Sequence, residues 1–563
     1  MDIKDFRFKL SYKSGGKESS LELNGNEIAG GFKNDDLSLR EDGNDGRLHM
    51  TITTSKPVEL LSAIVIYDRY YKKDDAVYAN GFQSWTVSRE YKRGEQQRGL
   101  SAICHLPLAR DFAAASGDYF FTQYGKDLYH SYTYTYVRNG SEVELIGSLN
   151  ERTGYTVFYA DLRENVLAAV KDVDGLTVNG EYELFDFVLC TGGYDEAFDA
   201  YFAAYPRKHT GRVKHFAGYT SWYNYYQNIT EEIILRDLEG LKRAGESANI
   251  FQIDDGYETM VGDWDIDERK FPNGLAPIVQ KIHAQGLQAG LWLAPFSAQF
   301  KAKIVKEHPD WLIKNKKGKP VISGMAWGGF YAFDFELPAV REYIRGLFAK
   351  IFNEWGFDMV KLDFLYSTAI YPRNNKTRGQ LMCEAMDFLR ECCGDKLILG
   401  CGVPLGPAFG VVDACRIGCD AETSFRDKFY VKVTNQEIIS TRNAMNDSIF
   451  RRHLNGRIFA NDPDVFFLRD GGMKEAKYSL QQKKLLAKIN NMFGSVLFVS
   501  DNVGEYGEDM LALLKESYKP FDGKVLSAEY VDGDKIRIDY IQDGAKHTLT
   551  FDSRSGESED KII

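Results

Sequence analysis

Met359-Val-Lys-Leu-Asp-Phe-Leu-Tyr366 is a short apolar run that carries a lysine and, two residues on, an aspartate, just before the polar segment Ser367 to Arg378. Side chains alternate along a strand, so Lys361 and Asp363 are expected on one face. An ammonium beside a carboxylate at the C-terminal end of a strand lies where parallel α/β barrels keep their chemistry. The neighbouring sequence repeats the pattern. Short apolar runs alternate with amphipathic stretches from His215 to about Val503: Phe216 to Trp222, then Thr230 to Ala244; Ile250 to Ile253, then Leu275 to Ala284; Ala289 to Ala294; Tyr331 to Phe335, then Ala339 to Trp355; Met359 to Leu365, then Thr377 to Cys392; Leu397 to Cys401. Such alternation implies parallel βα units. Its length, with polar residues repeatedly at strand ends, predicts a (β/α)8 TIM barrel rather than an open doubly wound sheet.

The flanks read differently. Up to about residue 193 the apolar spacing has a period of two, as in Phe6-Arg-Phe-Lys-Leu, Leu48-His-Met-Thr-Ile-Thr and Tyr132-Thr-Tyr-Thr-Tyr. Turns are expected at Asn139-Gly140, Asp174-Gly175 and Asn179-Gly180, giving an antiparallel β-sandwich. A helical stretch from Asp195 to Ala204 ends at Pro206. At the far end, Val525 to Val531 and Lys535 to Tyr540 flank Asp532-Gly533, and Gln542-Asp-Gly544 precedes His547 to Phe551, which predicts a small antiparallel β-domain packed on the barrel. The expected multidomain layout is an N-terminal β-sandwich (1–193), a helical linker (194–212), a catalytic barrel (213–508) and a C-terminal β-domain (509–563).

With 563 residues, 44% hydrophobic and 27% charged, the composition is that of a soluble multidomain protein. No run of about 18 apolar residues occurs, and the opening Met-Asp-Ile-Lys-Asp-Phe lacks the regions of a signal peptide, so a cytoplasmic location and no membrane association are expected. The formal net charge of -11 argues against nucleic acid as a partner. The eight cysteines form no paired CxxC pattern, and reduced thiols, no metal and no cofactor are expected. Neither GxGxxG after a strand nor a P-loop is present, which removes support for nucleotide binding.

Carboxylates collect at the predicted strand ends: Asp254 and Asp255, Asp334, Asp363, Asp420, Asp462 and Asp464, with Trp222, Trp264, Trp292 and Trp327 nearby in sequence. Carboxylates accept bonds from sugar hydroxyls and indoles cover the apolar face of a sugar ring. A single aspartate after a strand has a plainer role as a helix cap or Asx-turn. Their recurrence on one rim would be costly without a ligand or cation, and Lys361 and Arg416 are the internal compensation. In the N-terminal region, Asn80-Gly-Phe-Gln-Ser-Trp85 could stack on and bond a sugar, although a buried core tryptophan is the plainer reading.

These residues carry a resemblance. Gly218-Tyr-Thr-Ser-Trp222, Gln252-Ile-Asp-Asp-Gly256, Gly262-Asp-Trp264, Gly290-Leu-Trp-Leu-Ala-Pro295, Lys361-Leu-Asp363, Cys401-Gly-Val-Pro404, Arg416-Ile-Gly-Cys-Asp420 and Asn461-Asp-Pro-Asp464 resemble, in order, the motifs of the α-galactosidases of glycoside hydrolase family 36, in the clan shared with family 27. Asn80 to Trp85 is similar to an N-terminal segment of the same family. The resemblance implies a retaining exo-α-galactosidase acting on α-galactosides or oligosaccharides, with Asp363 as nucleophile and Asp420 as general acid/base. It also implies that Asp254, Asp255, Lys361, Arg416 and Trp292 bind the sugar, with Trp222, Cys401 and Trp85 as further pocket candidates. Homo-oligomers are common in the family.

Since an arginine beside the acid would favour its ionised form, Arg416 is expected to point towards the sugar. Lys361 is expected to keep Asp363 ionised. Glu422, in the loop after Asp420, is a second candidate for the acid/base. An α-N-acetylgalactosaminidase with the same machinery is a second reading, decided by whether the loops near Cys401 and Cys419 leave room for an acetamido group. From other classes, a metal-dependent barrel lyase using Lys361 as base and a non-catalytic sugar-binding protein are the rivals.

Overall fold

The computed structural model describes residues 3–44, 46–106, 117–435, 439–471 and 475–563. At its centre is a parallel sheet of nine segments: β1 (Phe216–Thr220), β2 (Ile250–Ile253), β3 (Gln288–Leu293), β4 (Met359–Leu362), β5 (Leu397–Gly400), β6 (Ala414–Arg416), β7 (Ala460–Asp462), β8 (Val465–Phe466) and β9 (Val496–Val499). Their order across the sheet is β7-β6-β5-β4-β3-β2-β1-β9-β8. The two outermost segments, β7 and β8, are separated in sequence only by Pro463 and Asp464, so the sheet must curl until its edges meet. Proline has no N–H for the ladder, and Asp464 takes a positive φ of 76°, which lets this seventh barrel strand pass its pairing from β6 to β9. Closure is that of an eight-stranded barrel with one strand kinked.

The strands are short and buried along nearly their whole length, as expected where helices cover a parallel sheet. Gly218 permits the packing of β1 on β2, since a Cβ there would lie 1.9 Å from the Ile250 carbonyl oxygen. The outer helices follow the 3.6-residue rule. Glu231–Leu241 starts at Thr230, whose side chain accepts from the Ile233 N–H, and buries Ile234, Leu238 and Leu241. Arg378–Cys393, after β4, opens with a capping box made by Thr377 and Gln380.

Two expectations need correction. The apolar run around Tyr331 is not a barrel strand: Phe330–Ala332 pairs antiparallel with Ser297–Gln299 and Ile322–Gly324 in a separate three-stranded sheet between β3 and β4. A three-residue apolar run before a helix looks the same in either setting. Asp334 therefore stands on this insertion, where it pairs with Arg373. Asn179-Gly180 is not a turn either. The strand Thr177–Gly193 runs through it with a register shift, Gly180 at φ 109° making a bulge opposite Thr54. Asp174 and Gly175 do form a tight turn, both with positive φ.

The N-terminal part is a 13-stranded antiparallel sheet. Its longest strand, Arg47–Asp68, pairs with Leu37–Glu41 over its first half and with Phe6–Ser14 over its second. Helix Tyr194–Ala204 follows the last strand. A four-stranded antiparallel sheet ends the chain, with a final strand, Ser558–Ile562, beyond the two expected hairpins. It packs on the barrel helix Leu480–Phe493 through Lys488, whose Nζ lies 2.7 Å from the Tyr540 hydroxyl.

Candidate active site

A cavity of about 760 Å³ opens at the C-terminal ends of the barrel strands. Asp254 and Asp255 after β2, Trp292 in β3, Lys361 and Asp363 at β4, Asp420 after β6, and Trp222 and Trp85 all line it. Eight of the ten sequence-predicted residues thus meet around one space. Cys401 and Arg416 do not line it.

Asp363 follows directly on β4, its own N–H held by the Leu293 carbonyl. Its Oδ2 accepts from Trp292 Nε1 at 3.0 Å and its Oδ1 from the Phe364 N–H at 2.8 Å. The second bond needs a sharp backbone turn, and Phe364 makes it with a positive φ of 53°, uncommon for a bulky residue. Burial pushes the Asp363 carboxyl above its usual value, with Lys361, Trp292 and Cys401 pulling it down less strongly. Lys361 thus moderates the carboxyl rather than dictating it. Because that ammonium lies on Asp254 Oδ2, 2.8 Å away, its nearest partner is not Asp363.

A pH dependence follows. If Asp363 must be ionised to act, kcat/KM falls as pH falls through its raised pKa, so the acid limb is expected above the ordinary 3.8. Trp292→Phe removes a bond made to the ionised form and should move that limb to still higher pH. An unmoved limb would detach Trp292 from the titrating group.

The Asp254 carboxylate is held by four neighbours. Besides Lys361, its Oδ2 accepts from Gln252 Nε2 at 2.8 Å and Thr220 Oγ1 at 3.3 Å, and its Oδ1 from the Asp255 N–H at 3.0 Å. Asp255 accepts from Gln227 Nε2 at 3.0 Å and from Trp327 Nε1 at 2.7 Å. Both donors line the cavity and come from loops. Trp327, at positive φ in the insertion between β3 and β4, has its ring 5.8 Å from that of Trp292. Gln227 carries no signal in the sequence. Behind them, Glu258 is buried against Asp255, and burial with that neighbouring charge pushes its carboxyl well up. Trp264 is buried with its ring 6.1 Å from that of Trp292, one layer further back.

Arg416 departs from expectation. It is 1% exposed, with Nη1 3.2 Å from Asp464 Oδ1 and Nη2 3.1 Å from Asp420 Oδ1. Asp462 and Asp464 are both buried behind the cavity, Asp464 with its pKa pushed up to about 7 by burial despite the guanidinium. A buried carboxylate pair needs a cation more than a solvated sugar does, so the guanidinium turns inwards. Asp420 is consequently positioned by Arg416 while remaining 33% exposed to the cavity. Glu422 lies outside the cavity lining and is held by Lys428 at 2.6 Å and by Thr423.

The segment Asn80 to Ser88 is fastened to the barrel by buried Arg451, which donates to the Ser84 and Gln83 carbonyls and to Asn80 Oδ1. Trp85 lines the cavity and its Nε1 donates to Cys401 Sγ at 3.4 Å. Gly402, at φ 54°, makes room for this indole, since a Cβ would sit 2.9 Å from both Trp85 and the Phe364 nitrogen.

A pocket of carboxylates and indoles at this end of a barrel has the character of a glycosidase chamber. Comparison with known proteins agrees. Residues 220–384 match the Melibiase family model. The chain is 29% identical over 150 residues to the α-galactosidase Mel36A of Lactobacillus acidophilus, covering 25% of this chain and 20% of that protein. It is 32% identical over 136 residues to α-galactosidase 1 of Pediococcus pentosaceus, covering 22% and 18%. The matched segments thus span about a fifth of these curated relatives' length. Over nearly the whole chain, the fold is similar to that of the α-galactosidase of Thermus thermophilus solved with stachyose: TM-score 0.67 and 25% identity, covering 90% of this chain and 98% of that one. Residues 220–384 thus resemble the Melibiase family, and the fold over nearly the whole chain is similar to that of a solved α-galactosidase.

Proposed function

We propose that the chain is a retaining exo-α-galactosidase that releases terminal α-linked galactose from glycosides or oligosaccharides. The observation that carries this reading is the convergence in one pocket of two differently held carboxylates. Asp363 is buried and fixed by Trp292, and Asp420 is partly exposed beside Arg416. In the two-step mechanism Asp363 attacks the anomeric carbon while Asp420 protonates the departing oxygen, and Asp420 then takes a proton from the water that releases the sugar. Asp254, Asp255 and Lys361 form the floor on which galactose hydroxyls are held, with Trp292 and Trp222 as apolar walls. Cys401 acts from behind Asp363, and Trp85 closes the side next to it. Arg416 acts as a positioning residue for Asp420. Glu422 is disfavoured as the acid because it lies outside the pocket lining, whereas Asp420 faces the cavity.

The sandwich, linker, barrel and C-terminal β-domain boundaries given above are the domain layout we adopt. A cytoplasmic location fits the eight free cysteines, and none of the described helices is long and apolar enough to cross a membrane. A homo-oligomer is part of the family pattern. The lyase reading fares worse, because a proton-abstracting lysine must shed its proton. Burial pushes the Lys361 pKa down, but Asp254, Cys401 and Asp363 outweigh it and hold the ammonium above its usual value.

Initial rates on p-nitrophenyl α-D-galactopyranoside and its N-acetylgalactosaminide counterpart test this reading. Preferred turnover of the galactoside is expected. Preference for the acetamido sugar would make the protein an α-N-acetylgalactosaminidase, and turnover of neither would leave a sugar-binding protein.

A further inference from the structure

The cavity changes character between floor and mouth. The floor is carboxylate, lysine and indole, whereas the described mouth is made of Ile103, Cys104, Met325, Val433 and Ile439. These come from three separate parts of the chain. Ile103 and Cys104 sit on the turn Ala102–His105 of the N-terminal region, Met325 on the insertion between β3 and β4, and Val433 on helix Phe429–Thr434 after β6. The first and last are tied together by the Ser101 N–H, which donates to the Thr434 carbonyl at 3.0 Å. The polar group at this level, the Thr434 hydroxyl, donates to the Tyr430 carbonyl of its own helix at 2.7 Å. Ile103 and Met325 are each 51% exposed and Val433 37%, so three apolar side chains stand in water around one opening. Convergent exposure of this kind is unusual unless something apolar covers it.

Whatever leaves from the anomeric carbon must occupy this mouth. A sucrose-like leaving group would press most of its hydroxyls against side chains that offer no hydrogen bond, with the Thr434 oxygen left as an acceptor, and so exchange water for little. An alkyl or aryl group would instead remove apolar surface from water on both sides. We propose that Ile103, Met325 and Val433 form an aglycone subsite selective for α-galactosides of apolar alcohols or phenols over those of sugars. The inference rests on the galactosidase reading and names the substrate class of that same site.

The test is kcat/KM along methyl, butyl, hexyl and octyl α-D-galactopyranosides, with raffinose alongside. The series is expected to climb, by up to about fourfold for each methylene that is fully buried, and octyl galactoside to exceed raffinose at least tenfold. Met325→Ser and Val433→Ser should each flatten the climb, read as a lower octyl-to-methyl ratio within one variant, so a general loss of folded enzyme cancels. An active enzyme with a flat series, or one that prefers raffinose, overturns the subsite alone. Absence of turnover on every α-galactoside overturns the activity and the subsite together.

Discussion

Asp363→Ala is expected to lower kcat on an aryl α-galactoside by a factor on the order of 10⁴ or more, with the fold intact. The size follows from the role. Without a carboxylate below the anomeric carbon the first displacement has no nucleophile, and the Trp292 indole that fixed it is left facing an empty site. The same gap makes a positive test available. Azide is small enough to enter where the carboxylate stood, and attack from that face inverts the anomeric centre, so the product should be β-galactosyl azide. Recovery of activity without azide, or an α-azide from this variant, would mean that another group forms the glycosyl–enzyme bond.

Asp420→Ala is expected to show the second largest effect, and one that depends on the leaving group. For raffinose, whose departing oxygen must be protonated, a loss of about 10²–10⁴ is expected. For an aryl galactoside with an acidic phenol the first step needs little help, so the loss should be far smaller. Azide should then attack the galactosyl enzyme from the opposite face and give the α-azide. A uniform loss on both substrates would remove Asp420 from the acid role and return attention to Glu422, despite its place outside the pocket lining.

Much of this site was legible because the barrel writes it in a simple code. Parallel strands buried on both sides read as apolar runs, and the residue after such a run lands on the catalytic face. Ile250–Ile253 is followed by Asp254 as its run implies, whereas the run Met359 to Leu365 is strand only to Leu362, with Asp363 just beyond it. The run around Tyr331 misleads because an insertion strand of three residues carries the same signal as a barrel strand. Trp327 and Gln227 reach Asp255 from loops whose course no local pattern specifies.

Arg416 teaches something different. Its spacing from Asp420 was visible, but not the direction of its guanidinium, which is settled by charges distant in sequence. Asp464 arrives from the kinked seventh strand, 48 residues on (464 minus 416), and draws the arginine inwards. Lys361 was likewise expected to serve Asp363, whereas Asp254, just beyond β2 and two strands away, takes it. Pairing across strands, rather than along them, sets the electrostatics of the chamber. The Asn80 to Trp85 segment resolves in the same way, since Arg451 from beyond β6 brings it to the pocket wall.

The central claim is that Asp363 carries the galactosyl group. Its most direct test is to trap the intermediate with a fluorinated α-galactosyl fluoride, whose electron-poor ring slows release of the sugar, and to map the label by peptide mass spectrometry. The account predicts one labelled peptide spanning Met359 to Tyr366, with the sugar on Asp363. A label on Asp420, Asp254 or Asp255, or steady-state turnover with no covalent label on any residue, would contradict it.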